Sequence, residues 1–126
     1  MNKTHPTDKN VLGTPLLITG TDPLTGFYRD GFCCTGPQDR DKHVIAAVVN
    51  DAFLEFTLAM GNNLISHYPA SNFPGLKAGD RWCLCALKWK EAFDSGFAPS
   101  VILEATHENA LLYVTLQDLK ANEFKI

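Results

Sequence analysis

Thiols, imidazoles and guanidinium groups are the side chains here with the most chemistry to offer, and several fall close together along the chain. Cys33 and Cys34 are adjacent, and Cys83 and Cys85 are separated by one residue. Zinc sites usually draw on two cysteines with two residues between them, because that spacing lets both sulfurs reach one tetrahedral ion. Neither pair has it, so the expected metal set is none and no cofactor is implied. On an extended strand Cys83 and Cys85 share a face, which keeps a thiolate metal-binding protein open as an alternative. A thiol nucleophile needs a base. Cys33 as nucleophile with His43 or His107 as base is therefore the candidate catalytic set, against the commoner fate of cysteine as a buried core residue. Cys33 follows Arg29 in a turn-rich loop. The expectation is that a thiol reagent labels Cys33–Cys34 before Cys83 or Cys85.

A polar group made of Arg29, Asp30, Asp80 and Arg81, with Trp82 beside it, is the candidate ligand-binding set. An arginine there would bind a small carboxylate or phosphate. The plainer reading is that each arginine is fixed by its neighbouring aspartate and that Asp22 closes an Asx turn. Glu104 is expected mid-strand on an exposed face. Phe27, Tyr28, Phe32, Tyr68, Phe73, Trp82 and Trp89 crowd the loops, either lining a pocket or fastening glycine-rich chain to the core.

The elements that must position these groups belong to a chain of 126 residues, 45% hydrophobic and 20% charged, with net charge −3. That size suits one domain with a real core. The slight acidity argues against nucleic acid and anionic membrane as partners. Residues 1–10 are polar, with no apolar signal core, and are expected as a flexible arm before a single globular domain over 11–126. Cytoplasmic localisation and free thiols follow as the default. Partners are otherwise open, a homo-oligomer included.

Residues 11–42 are rich in glycine and proline, with one short strand near 15–19. The run VIAAVV at 44–49 is apolar on both faces and predicts a buried strand. Asn50 is placed to cap a helix over 51–60, and Gly61 to end it. A second loop over 62–80 leads to a strand over 81–87 and a helix over 88–95. A strand over 101–106, a turn at 107–111, a short strand at 112–114 and a helix capped by Thr115 complete the order. The fold class is α+β: a small mixed sheet with helices packed on one face and long ordered loops.

Several strings are more specific than composition: TDPLTGFYRDG at 21–31, TGP at 35–37, NFPGLK at 72–77, GDRWCLCA at 79–86, AP at 98–99 and EATH at 104–107. Together they resemble a bacterial family of uncharacterised proteins known as domain of unknown function 2237, from about residue 10 to about 119. The resemblance implies a small two-layer fold and carries over no activity. Cys33, Cys83 and Cys85 match its pattern, whereas Cys34 does not, and Ala46 and Asp41 depart from it.

Because the specific strings lie in loops, which carry function more often than cores do, the site is expected between residues 20–43 and 72–82. The protein is then a small-ligand-binding or enzymatic domain. The rival is an interaction or assembly module without catalysis.

Overall fold

A computed structural model describes residues 4–40, 42–67, 69 and 73–124. Tyr68, Asp41 and Asn72 lie outside the described residues. The elements run β1 (Thr4–Lys9), β2 (Pro15–Leu17), β3 (His43–Val48), α1 (Asp51–Ala59), β4 (Arg81–Cys85), α2 (Ala86–Asp94), β5 (Ser100–Val101) and α3 (Leu116–Ala121), with short 3-10 turns at Leu103–Ala105 and Glu108–Leu112. No described helix is long and apolar enough to cross a membrane.

The apolar run becomes the central strand β3, flanked by β4 on one side and β5 on the other, both antiparallel. Among the described residues, parallel pairing is confined to an isolated bridge between Val101 and Glu123, outside the named strand pairings. Burial on both faces explains the unbroken apolar sequence. One set of side chains joins Phe53 and Leu54 of α1 and Trp89 and Ala92 of α2 in the main core. On the other side, Ala46 packs with Cys33, Cys83 and Ala105. The turn-rich segment thus supplies the cover that helices supply opposite it.

Local chemistry sets the ends of α1 and α3. Asn50 accepts from the Phe53 N–H at 2.8 Å, and Thr115 accepts from the Asp118 N–H at 3.1 Å. Each satisfies a donor that the first helical turn leaves without an intrahelical acceptor.

Four expectations are corrected. The short strand expected over 112–114 does not form: Leu112 ends a 3-10 turn, and Tyr113 and Val114 continue as a turn and a bend. From Thr4 onward, the expected arm is strand β1, paired with β2. The expected strand over 101–106 ends at Val101 and turns into a 3-10 segment bearing the exposed Glu104. Thr106 explains the turn: its hydroxyl accepts from the Ala46 N–H at 3.1 Å and donates to the Ile102 carbonyl at 2.8 Å, taking a place a continued ladder would need. Lastly, β4 stops at Cys85 and α2 starts at Ala86, two residues earlier than expected. Cys85 therefore stands at the N-cap of a helix instead of inside a strand.

Candidate functional site

The loop over 19–34 folds back onto β4 and is fastened there at two points. Thr25 accepts from the Cys83 N–H at 2.8 Å. Cys33 and Cys83 form a disulfide with their Cα atoms 5.2 Å apart. The Thr19 hydroxyl donates to the Cys33 sulfur at 3.1 Å. The expectation of free thiols is corrected for this pair. Cys33 is fully buried and covalently bonded, so in this state it is neither the expected nucleophile nor the first thiol to label. A structural disulfide is favoured in oxidising compartments, and it pulls against the cytoplasmic expectation.

A cavity of about 400 Å³ opens between this loop, residues 63–64 and β4, lined by Phe27, Arg29, His43, Asn63, Phe73 and Trp82 among others. The edge of Cys83 reaches it. Arg29 lies over the Trp82 ring, 5.2 Å from its centroid, and the Phe73 ring meets Trp82 edge-on at 5.1 Å. Arg29 has φ 55, a left-handed conformation rare for a residue with a side chain, and such strain concentrates at ligand sites. Among the described residues no carboxylate pairs with its guanidinium. The expected pairing with Asp30 does not form; Asp30 instead accepts from the Phe32 N–H at 3.0 Å and closes its own turn.

His43 begins β3 at the cavity wall, with Phe27 stacked on it at 6.4 Å. The buried Asp39 accepts twice from this residue, from the His43 N–H at 2.9 Å and from the ring Nδ1 at 2.7 Å. A carboxylate on Nδ1 fixes the tautomer, so Nε2 is left as the proton acceptor. That is the arrangement of an oriented general base.

A smaller cavity of about 140 Å³ shares His43, Leu64 and Trp82 with the first and adds Cys85 and Lys88. His43 and Cys85 are direct partners in the antiparallel β3–β4 pairing. Residues so paired project to the same face of the sheet. The half-buried Cys85 therefore lines the smaller cavity together with His43.

Thus Arg29, His43 and Trp82 line one cavity, whereas the remaining candidates lie elsewhere. Asp80 ties down its own turn through the Lys77 N–H at 3.0 Å and its ammonium at 3.2 Å. Arg81 is exposed beside Glu104 and Glu123, away from the cleft. His107 is a tie between segments: its Nδ1 accepts from the Asn109 N–H at 3.0 Å, so Nε2 carries the proton given to Asp8 at 3.0 Å.

Around that tie, His5, Asp8 and Cys34 bring three ligand-type atoms within 4.8 Å of one another. Hydrogen bonds account for the arrangement. His5 Nδ1 accepts from the N–H groups of Thr7 and Asp8, which occupies its lone pair. Burial and the nearby Asp8 carboxylate push the Cys34 thiol up to about 12, so it is held as a neutral donor. Burial raises the Asp8 carboxyl, but the hydrogen bonds from His107 and Cys34 outweigh this and leave it below the ordinary carboxylate value.

Sequence reasoning missed Asp39 and Cys85. Asp39 stands four residues before His43, a spacing that carries no signal in a loop. Cys85 was assigned to the same strand face as Cys83, and only the early helix start separates their surroundings.

The family follows from comparison with known sequences. Residues 9–123 match the model of a family described as uncharacterised proteins conserved in bacteria, domain of unknown function 2237. The chain belongs to this family. The match spans every element from β2 to α3, and so includes both walls of the cleft and the disulfide that joins them. No curated protein matches the chain.

Proposed function

We propose that this member of the family is a small-ligand-binding domain of enzymatic type. Its ligand is a small compound with a flat apolar part and an anionic group, held beside His43. The observation that carries this reading is the oriented His43–Asp39 pair at the wall of a cavity that also holds Arg29 stacked on Trp82. Concave sites with apolar walls and a few convergent polar groups are where small ligands bind. A guanidinium that meets no carboxylate among the described residues, backed by an aromatic face, suits a carboxylate or phosphate. The local charge is thus opposite to the chain's net −3.

Tryptophan emission offers the test. The chain has two tryptophans, and Trp89 is fully buried in the main core. Trp82 should therefore dominate any response to a ligand in the cleft. Titration with benzoate, phenyl phosphate and inorganic phosphate should change the emission saturably for at least one of them. Arg29→Ala should weaken that binding about ten-fold, the scale of one charge-assisted hydrogen bond. An emission that none of these anions changes, or equal binding by Arg29→Ala, would sink the reading.

A further inference from the structure

We propose that Cys85 is the nucleophile of this cleft and that His43, oriented by Asp39, is its base, with activated acyl compounds bearing an anionic group as substrates. This rests on the reading of the cleft given above. Three independent placements converge on it. The antiparallel pairing sets Cys85 directly across from His43. Both residues line the smaller cavity, which shares His43, Leu64 and Trp82 with the larger one that holds Arg29. The imidazole is held by a third group through its Nδ1, at 2.7 Å, as a base serving a nucleophile must be. Cys85 is also the N-cap of α2, a helix of nine residues, whose first-turn N–H groups favour developing negative charge. The Ala86 N–H donates to the Lys42 carbonyl at 3.1 Å, and helix geometry gives the first-turn N–H groups of Leu87 and Lys88 no intrahelical acceptor. The other cysteines fit this role poorly: Cys33 and Cys83 are bonded to each other, and Cys34 is a buried neutral donor.

The step balances within the site. His43 Nε2 takes the thiol proton as the Cys85 sulfur attacks the acyl carbon of an ester or thioester. The carbon–sulfur bond to Cys85 forms, the bond to the leaving oxygen or sulfur breaks, and His43 returns the proton to the leaving group. Water then adds to the acyl-enzyme with His43 as base. The Cys85–acyl bond breaks, the acid leaves, and the sulfur recovers its proton.

The test uses iodoacetamide and p-nitrophenyl acetate on the folded, oxidised protein at pH 7, with the adduct located by peptide mass spectrometry. Cys85 should take up the carbamidomethyl group and, transiently, one acetyl group, while Cys34 stays unmodified. His43→Gln and Asp39→Asn should each slow both reactions about ten-fold or more. In urea, where the base is no longer held near the sulfur, iodoacetamide should label the variants and the parent protein at equal rates. Modification of Cys34 ahead of Cys85, no modification of Cys85 without denaturant, or rates unchanged by His43→Gln would overturn the assignment. These readouts are separate from anion binding at Trp82. A cleft that binds anions beside an inert Cys85 defeats the nucleophile alone, and a reactive Cys85 in a cleft that binds no anion defeats the ligand reading alone.

Discussion

Replacing Cys33 and Cys83 together by alanine is expected to lower the stability of the fold by about 3–5 kcal/mol. The two residues are 50 apart in sequence, and closing a loop of that length in the unfolded chain is worth about 4 kcal/mol in the chain-entropy view. Both sulfurs are also buried beside Ala46 and Ala105, so their loss leaves space the core must close. A domain of this size has roughly 5–15 kcal/mol in total, and the melting temperature should fall by more than about 10 °C. Adding a reductant to the parent protein should reproduce most of the shift and should do nothing further to the double variant. That comparison separates the cross-link from the packing. A loss below about 1 kcal/mol would mean that the loop over 19–34 is held by Thr25 and its backbone hydrogen bonds without need of the cross-link.

Gly26→Ala should be the most damaging change of a single glycine in that loop, at roughly 2–5 kcal/mol. Gly26 has φ +99, and a Cβ placed on it would run into the Phe32 carbonyl, which is backbone and cannot swing aside. The strain of the left-handed conformation and the clash therefore add. Gly13→Ala is the matched control. It has φ +82 but open space around the added carbon, so it should show the backbone strain alone, about 1–2 kcal/mol. Urea midpoints of the two variants provide the comparison. Gly26 lines the cleft and holds Phe27 at its wall, so Gly26→Ala should also weaken anion binding where Gly13→Ala does not. Equal destabilisation by the two would show that the Gly26–Phe32 approach is looser than described.

Much of this arrangement was legible in the sequence where local chemistry sets it. The apolar run at 44–49, the Asn50 cap and the Thr115 cap predict β3, α1 and α3, because a two-faced strand and an N-cap leave a signature within a few residues. The convergence of residues 20–43 with 72–82 was readable from where the specific strings fall. What could not be read depends on pairing over long separations. Cys33 meets Cys83 only because the loop folds back over β4. Strand β1 is mostly exposed, so no buried face marks its sequence; its pairing with β2 makes it a strand. The side chain of Thr106, acting on Ala46 sixty residues away, turns a β-prone segment into a 3-10 turn. Cys85 was hidden for a related reason: its partner His43 is set by a register that slips by one residue at Val44.

We propose the cleft around His43, Arg29 and Trp82 as the place where this protein meets its ligand. The most direct measurement is an NMR titration of isotopically labelled protein with benzoate and phenyl phosphate, following backbone amides together with the histidine and tryptophan side chains. Saturable shifts confined to Phe27, Arg29, His43, Asn63, Trp82, Cys85 and their neighbours are expected, with His107 and His5 unmoved. Shifts that centre on His107 and Asp8, or a cleft whose signals stay still while other surfaces respond, would contradict it.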